Sequence, residues 1–405
     1  MAFYEENPDH ITEAEIVVAV PSFNEARLIG YPTQQASLGL RQFFPDKRSV
    51  IINFDNHSTD GTKEAFLGTD TEIPKIYLST PEGVTGKGNN LRNLFEKACS
   101  LGAKACLIVD ADLKSITPRW IKNLAEPLFG EFGFVTPLYV RHKYDGTITN
   151  SIAYPFMRAM YGRRVRQPIG GEFAFSGELA RVFLDYPFWD ERIANFGIDV
   201  WMTTIAICQN VPICQSFMGR PKIHKTRDPG GDVAPVFHEL VGTMFSLASH
   251  FQVHWRNIRW SRPTAIFGFG LGEVELPPPV EVNKMAVYQK FQRWIGSSAD
   301  IWKEIMGPEV HGKFNEVLGM DPLRFDFPAD LWAKILFDYA IALSRRKDDS
   351  KAILDSLIPL YYAKVYAYVV RTEEMSMQQA EEYIEEQCMV FEEARPYLNE
   401  RWGAP

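Results

Sequence analysis

The sequence predicts an α/β domain built on a mostly parallel sheet, followed by a mainly helical domain. Over the first 140 residues, short runs rich in β-branched residues alternate with amphipathic helical patterns. These runs are apolar throughout, which is typical of strands covered on both faces. Beyond about Arg227 the periodicity is almost entirely helical. We therefore expect two domains, at residues 1–230 and 231–405.

Predicted strands and helices alternate along the first domain as far as Val109, and one further strand follows. The predicted strands are Ile16–Val20, Val50–Phe54, Lys75–Leu78, Cys106–Val109 and Gly133–Val140. The predicted helices are Leu28–Phe44, a segment after Thr62, and Asn89–Leu101. Alternation of this kind indicates βαβ units, whose strands pair in parallel.

The second domain is predicted to contain at least five helices and a proline-rich spacer. The helices are Val236–Phe251, Ala286–Ile305, Leu331–Leu343, Ile353–Arg371 and Met377–Arg395. The spacer, Gly268–Val280, contains three consecutive prolines and is expected to be semi-rigid.

Composition excludes several classes of protein. With 46% hydrophobic residues the chain is expected to be globular, and a net charge of −8 argues against a broad nucleic-acid surface. Five cysteines without a CxxC spacing favour a reducing compartment. Asp355 and Lys364 interrupt the longest apolar run, and the first ten residues lack an apolar core. We therefore expect a cytoplasmic protein without a membrane span.

Polar clusters end three of the predicted strands, at Pro21–Glu25, Asp55–Gly61 and Asp110–Asp112. In open α/β sheets, ligands bind at the carboxyl ends of the strands. The carboxylates of Asp110 and Asp112 are hard ligands that suit Mg²⁺ or Mn²⁺, and such a metal can neutralise a leaving nucleoside diphosphate. Each of the three clusters could instead have a helix-capping or loop role.

Gly86-Lys87-Gly88 opens a predicted helix. The spacing does not fit a P-loop or a dinucleotide fingerprint. A lysine at a helix N-terminus remains, and it suits the oxygens of a diphosphate.

In chain order, VPSFNE, DNHSTDGT, GKGNN and VDADL resemble the nucleotide-sugar-binding half of GT-A glycosyltransferases. Downstream, RQPIGGE, FGID and KIHK resemble segments of the mannosylglycerate synthase and glucosyl-3-phosphoglycerate synthase families. The resemblance runs from about Val17 to Asp228. It implies a GT-A fold and a metal-dependent transfer of hexose with retention of the α anomer.

The resemblance also implies roles for individual residues. The nucleotide pocket would be lined by Pro21, Ser22, Glu25 and Asn56. Lys87 would contact the diphosphate, Asp110 and Ala111 the ribose or sugar, and Asp112 with His224 the metal. The sugar pocket would be shaped by Ile169, Gly170, Glu172 and Asp199. A structural role for His224, and a helix-dipole role for Asp199, remain open alternatives.

The acceptor loop implied by the resemblance contains Arg141, Gly146, Thr147 and Thr149. Arg141 could bind a carboxylate in a forked geometry. The relatives that use 3-phosphoglycerate carry Arg at the position of Thr147, and loss of that guanidinium favours free D-glycerate. A cluster of nearby basic side chains could supply replacement charge, or could be a solvated helix face. These are Lys143, Arg163, Arg164 and Arg166.

The resemblance thus implies a glycosyltransferase that joins glucose or mannose to the 2-hydroxyl of D-glycerate, forming a compatible solute. Its partners would be a nucleotide sugar and D-glycerate or 3-phosphoglycerate. Aromatic stripes in the helical half suggest a homo-oligomer, and core packing is the alternative use of most of these residues. The donor base is left open. An inverting polymer synthase is disfavoured because Lys290 replaces the Gln of its QxxRW motif. A nucleotidylyltransferase is disfavoured because the glycine-rich loop is absent. A non-catalytic nucleotide-sugar sensor is a further alternative.

Overall fold

The computed structural model describes residues 4–224, 233–268 and 275–403. The chain forms two compact units, each assembled from three stretches. The first unit contains Met1–Arg141, Ile169–Thr226 and Thr264–Pro277. The second contains His142–Pro168, Arg227–Pro263 and Pro278–Pro405.

Nine strands form one sheet in the first unit, within the part of the chain that the structure describes. They are β1 (Tyr4–Glu6), β2 (Ile16–Ser22), β3 (Ser49–Asp55), β4 (Lys75–Ser79), β5 (Ala105–Ile108), β6 (Phe134–Leu138), β7 (Ala174–Ser176), β8 (Ile213–Phe217) and β9 (Ala265–Phe267). The order across the sheet is β1-β4-β3-β2-β5-β7-β6-β8-β9. Five of the eight neighbouring pairs are parallel, and β1–β4, β5–β7 and β6–β7 are antiparallel. The predicted mostly parallel α/β sheet is confirmed.

Helices flank the sheet and make up most of the second unit. The first unit contains α1 (Gly30–Phe43), α2 (Thr62–Gly68), α3 (Lys87–Leu101), α4 (Pro118–Ala125), α6 (Gly177–Asp185), α7 (Glu191–Ala194) and α8 (Ile198–Cys208). The second contains α5 (Tyr154–Tyr161), α9 (Ala234–His250), α10 (Gln252–Arg256), α11 (Lys284–Gln292), α12 (Ile295–Ile305), α13 (Pro308–Leu318), α14 (Ala329–Arg345), α15 (Ser350–Thr372), α16 (Met377–Glu393) and α17 (Arg395–Gly403). The predicted helical C-terminal region is confirmed.

The two units do not coincide with a single division of the chain at residue 230. Strand β9 pairs in parallel with β8, which brings residues 265–267 back to the sheet. Helix α5 packs against α16, which brings the stretch from His142 to Pro168 into the helical unit. Residues 269–274 of the predicted spacer lie outside the described residues.

The register of the central strands aligns their polar ends. Every residue of β3 is buried, and the apolar part of β2 is fully enclosed, as expected for strands covered on both faces. Ser22 pairs with Asp55, which pairs with Ser79. Asp110 follows β5 two residues after its end. The polar strand ends therefore share one edge of the sheet.

Helix α15 is the one described helix that is long and apolar enough to cross a membrane by length and composition, and 89% of its apolar window is buried inside the protein. Lys364 lies in this window and is itself buried. Its ammonium donates to the Phe327 carbonyl (2.8 Å) and to Gln387 Oε1 (3.0 Å). Burial lowers the pKa of Lys364 to about 8.

This lowered pKa predicts a pH-dependent stability. Above pH 8 the folded chain loses a proton that the unfolded chain keeps up to about pH 10.5, so the free energy of unfolding should rise with pH in that window. The full gain is about 3 kcal/mol. Urea unfolding at pH 7.5 and 9.5 should show the rise in the native chain and a smaller one in Lys364→Gln. Equal slopes in both proteins would contradict the assignment.

Candidate active site

Polar side chains at the ends of β2 and β3 form a network around Asp55. The Ser22 hydroxyl donates to Asp55 Oδ1 (2.7 Å), and Tyr77 donates to Oδ2 (3.0 Å). Ser58 donates to the same carboxylate through its N–H (2.7 Å) and its hydroxyl (2.6 Å). Asn53 Nδ2 in turn donates to Ser22 Oγ (2.8 Å). Ser22 is therefore part of the scaffold that shapes this edge.

The loops that follow β2 and β3 are tied to each other. Asp60 accepts hydrogen bonds from the N–H groups of Ala26 (3.0 Å) and Thr62 (3.1 Å). The hydrogen bond from the Thr62 hydroxyl is the main cause that lowers the pKa of Asp60. The Glu25 N–H donates to Thr62 Oγ1 (2.9 Å), so the chain beyond Pro21 is fixed along the edge. Asp60 thus holds the loops together.

Asn56 stands at the same edge with an unused acceptor. Its N–H donates to the Ser22 carbonyl (3.0 Å). Its buried side-chain oxygen has no hydrogen-bond partner among the residues that the structure describes. An unsatisfied buried acceptor costs about 1–3 kcal/mol, so a ligand that brings a donor to this oxygen would be bound favourably.

Lys87 begins α3 after Gly86, whose φ of 114° is in the left-handed region. The loop approaches α7 so closely that a Cβ at Gly86 would lie 2.3 Å from the Ala194 carbonyl oxygen. A Cβ at Gly88 would lie 1.9 Å from the Ile193 carbonyl oxygen. Because no side chain fits at either position, glycine on both sides of Lys87 fixes its backbone against α7.

Five charged side chains converge at the edge of the sheet, and we call them the charge cluster. Its members are Lys87, Asp110, Glu172, Asp199 and Lys222. Lys222 Nζ lies 2.8 Å from Asp110 Oδ2 and 2.8 Å from Glu172 Oε2. Lys87 Nζ lies 3.5 Å from Asp110 Oδ1 and 3.2 Å from Asp199 Oδ1. The structure therefore brings together four of the predicted site residues and adds Lys222.

The two lysines control the ionisation of Asp110. Burial alone would raise the pKa of Asp110, but Lys222 and Lys87 outweigh it and hold that pKa well below its ordinary value. Burial likewise opposes the charge of each lysine, and the surrounding carboxylates raise the pKa of Lys87 and of Lys222 above the usual range. At neutral pH, Asp110 is a carboxylate between two ammonium groups.

The other two carboxyl groups of the charge cluster, on Glu172 and Asp199, hold their protons more strongly than Asp110 does. Burial, with Asp110 nearby, raises the pKa of Glu172 to about 7 against the opposing effect of Lys222. Burial also raises the pKa of Asp199. Asp199 lies in the first turn of α8, so the predicted dipole role and the contact with Lys87 coexist. Glu172 Oε1 is buried without a hydrogen-bond partner among the described residues.

Ile169, Gly170 and Gly171 form a turn just before Glu172 of the charge cluster. Gly171 has a φ of 90°. The Gly170 carbonyl accepts from Lys222 Nζ (3.0 Å). A Cβ at Gly171 would lie 2.5 Å from Lys222 Nζ and 2.7 Å from Asp110 Oδ2. The turn therefore has room only for a residue without a side chain.

Gly171→Ala should destabilise the fold and impair the site together. The left-handed backbone alone costs about 1–2 kcal/mol, and the methyl group must also displace the Lys222–Asp110 pair. Gly83→Ala is the matched control, since Gly83 has a φ of 78° and nothing within 4 Å of a Cβ. Both variants carry the cost of a side chain in the left-handed backbone, and only Gly171→Ala carries the cost of crowding. Comparing their thermal unfolding therefore separates the two costs. Equal losses of stability would show that Gly171 is not crowded.

The predicted metal ligands lie on two segments that run side by side. The Lys114 N–H donates to the Ile223 carbonyl (2.8 Å), and the Ile223 N–H donates to Ser115 Oγ (2.9 Å). These bonds hold the chain that carries His224 against the loop that carries Asp112. One carboxylate and one imidazole form a donor set that suits Mn²⁺ or Mg²⁺ when phosphate oxygens complete it. Ala111, between the aspartates, is buried.

The predicted acceptor residues are divided between the units. Arg141 belongs to the sheet unit, where its guanidinium carbon lies 5.2 Å from the centroid of the Tyr139 ring. Gly146, Thr147 and Thr149 belong to the helical unit. Within that unit, Thr147 Oγ1 and the Tyr361 hydroxyl share a buried hydrogen bond of 2.6 Å. Thr147 is thus fixed by the helical unit.

Three of the basic residues near this loop have internal partners in the helical unit. Lys143 Nζ donates to the carbonyls of Thr372 (2.7 Å), Glu373 (3.0 Å) and Met375 (2.7 Å). Arg166 donates to both carboxylate oxygens of Glu381, and Arg164 donates to Ser261 Oγ (3.0 Å). Their polar groups are therefore engaged in holding the helices and the chain around them.

Lys222 and Tyr139 are the site residues that the sequence analysis did not assign. Tyr139 donates a hydrogen bond to Glu172 Oε2. Lys222 stood in the KIHK segment beside His224, and Tyr139 stood at the end of a predicted strand. The place of Lys222 in this motif and of Tyr139 at a strand end could therefore have identified both as site residues.

No family model matches the sequence, and no curated protein matches it. The search of solved structures found glucosyl-3-phosphoglycerate synthase from Mycobacterium tuberculosis. Its complex with Mn²⁺, uridine diphosphate and glucosyl-3-phosphoglycerate is 23% identical, with 57% of this chain and 79% of that chain covered and a TM-score of 0.45. Its complex with Mg²⁺ and uridine diphosphate is 22% identical over the same shares, with a TM-score of 0.46.

Proposed function

We propose that this chain is a cytoplasmic, Mg²⁺- or Mn²⁺-dependent retaining glycosyltransferase. It transfers glucose or mannose from a nucleotide sugar to the 2-hydroxyl of D-glycerate. The observation that carries the proposal is the charge cluster at the carboxyl edge of the parallel strands. It combines a lysine at a helix N-terminus with carboxylates of differing proton affinity, an arrangement suited to a diphosphate and a sugar.

Each residue of the site has a chemical task in this proposal. Asp112 and His224 would hold the metal, which neutralises the leaving nucleoside diphosphate when bound. Lys87 would turn its ammonium from Asp199 toward the diphosphate oxygens. Asp199 and Asp110 would then accept hydrogen bonds from the sugar hydroxyls. The leaving phosphate itself would take the acceptor proton, because a retaining transfer needs no separate carboxylate base.

Free D-glycerate is favoured over 3-phosphoglycerate by the state of the nearby cations. A phosphate is bound most strongly by a guanidinium or ammonium group. The ammonium of Lys143 has three carbonyl partners, and Arg166 is paired with Glu381. Recruiting either to a phosphate would break these contacts, and D-glycerate carries no phosphate to bind.

Arg141→Ala should raise the KM for the acceptor about 10- to 100-fold, because a hydrogen bond to a charged group contributes about 1.5–3 kcal/mol. The KM for the donor should stay within a factor of two. Arg41→Ala is the matched control, since Arg41 is an exposed arginine of the same unit that pairs with Glu72. Equal increases in both KM values would remove Arg141 from the acceptor site.

The proposal is tested by measuring release of nucleoside diphosphate with Mg²⁺, with Mn²⁺ and with chelator. Donors are UDP-, GDP- and ADP-glucose and GDP-mannose, each offered with D-glycerate and with 3-phosphoglycerate. Chelator-sensitive turnover with D-glycerate is expected. Faster turnover with 3-phosphoglycerate would retain the enzyme class and reject the acceptor. Tight donor binding without turnover would favour the non-catalytic sensor. Light scattering would test the proposed homo-oligomer.

A further inference from the structure

Tyr139 contacts both Glu172, in the proposed sugar pocket, and Arg141, the proposed acceptor residue. All three residues lie in the sheet unit. Its side chain is 6% exposed, directly after β6. Its hydroxyl donates to Glu172 Oε2, and the Gly170 carbonyl lies 3.4 Å from the same hydroxyl. The polar end of Tyr139 is thus bound to the segment predicted to shape the sugar pocket.

The ring of Tyr139 attracts cations as well. The guanidinium carbon of Arg141 lies 5.2 Å from the ring centroid, and Lys222 Nζ lies 5.8 Å from it. The face of an aromatic ring attracts a cation at such distances. Trp120 packs against Tyr139 at 5.5 Å between centroids and holds the ring in place. The Tyr139 ring is therefore one surface against which the Arg141 guanidinium rests.

We propose that Tyr139 is a positioning residue that aligns the acceptor with the donor sugar. Its ring places the Arg141 guanidinium for the acceptor carboxylate, while its hydroxyl holds Glu172 in the sugar pocket. The roles of Arg141 and Glu172 rest on the proposed function. The contacts of Tyr139 with both residues are independent of it.

Two variants separate the ring from the hydroxyl. Tyr139→Leu removes both, and the acceptor KM should rise about 3- to 30-fold because the guanidinium loses its platform. Tyr139→Phe keeps the ring, so acceptor KM should stay within about twofold of the native value. Tyr31→Phe is the control, since Tyr31 donates to the Ile116 carbonyl (3.0 Å) and has no contact with the charge cluster in the described residues.

The hydroxyl is tested by a measurement that needs no turnover. In Tyr139→Phe, Glu172 loses a hydrogen bond that favours its carboxylate, while Lys222 and Asp110 still face it. Its titration midpoint should therefore move to higher pH. Carbon-13 NMR of labelled glutamate reports this midpoint, with Glu172→Gln assigning the signal and Tyr31→Phe expected to match the native protein.

The outcomes distinguish this inference from the proposed function. No turnover by the native protein would reject the function, while the NMR titration would still test the link from Tyr139 to Glu172. Turnover with an unchanged acceptor KM in Tyr139→Leu, or an equal rise in Tyr139→Phe, would overturn the role of the ring. An unchanged midpoint in Tyr139→Phe would overturn the role of the hydroxyl. If Tyr139→Leu does not fold, the two readouts of Tyr139→Phe still decide.

Discussion

Replacing Lys222 with methionine should lower the free energy of unfolding by about 3–5 kcal/mol, the range for removing one partner of a buried ion pair. Lys222 is 6% exposed and lies 2.8 Å from two carboxylates. Methionine fills much of the same volume, so the loss reports the charge rather than a cavity. Without the Lys222 ammonium, the positive charge near the buried carboxylates of Asp110 and Glu172 would no longer offset their negative charge.

The pH dependence of this loss identifies its origin. The pKa of Glu172 is about 7 with Lys222 in place. The variant should therefore be more strongly destabilised at pH 8, where the native fold holds Glu172 ionised, than at pH 6. Adding Glu172→Gln to Lys222→Met should recover part of the loss, which urea denaturation of the four proteins of a double-mutant cycle measures.

Lys104→Met is the control for Lys222→Met. Lys104 pairs with Glu15 at 3.0 Å, but its side chain is 62% exposed. Exposed pairs contribute about 0–1 kcal/mol. A loss in Lys222→Met no larger than in Lys104→Met would mean that the charge cluster does not stabilise the fold.

Asp112→Asn should reduce chelator-sensitive turnover about 100-fold or more, because a metal ion stabilises developing charge by several kcal/mol. The amide keeps the size of the carboxylate and removes its charge, so the thermal unfolding midpoint should change little. His224→Ala should have an effect in the same direction.

Metal binding is measured separately from turnover. Calorimetric titration with UDP should show Mn²⁺-enhanced affinity in the native chain and little enhancement in Asp112→Asn. Asp46→Asn, at an exposed position before β3, should behave like the native chain. Full turnover in Asp112→Asn would remove Asp112 from the metal site.

The part of the fold that the sequence predicts is the part with local periodicity. Strands β2, β3 and β5 are continuous apolar runs, so their patterns indicate buried parallel strands without knowledge of the neighbours. Strands β7 and β9 have only three residues each, and β7 lies antiparallel between β5 and β6. Three residues carry too little pattern to be recognised, and their pairing depends on partners far along the chain.

The candidate site likewise contains features that local sequence predicts and features that it does not. The predicted position of Asp110 at a strand end follows from local sequence. Its pairing with Lys222 joins residues 112 positions apart, which no local pattern encodes. Sequence proximity makes Lys143 a candidate to bind a phosphate, yet its partners Thr372 and Glu373 lie more than 200 positions away. Long-range ion pairs and hydrogen bonds therefore decide which predicted charges are available.

The absence of side chains at Gly86 and Gly88 has a consequence for protein engineering. Because the backbone around Lys87 rests directly on the carbonyls of Ile193 and Ala194, the two segments form one module with no adjustable layer between them. A graft that replaces the stretch around Lys87 would need to carry both segments together. Libraries that randomise only that stretch should mostly yield misassembled proteins.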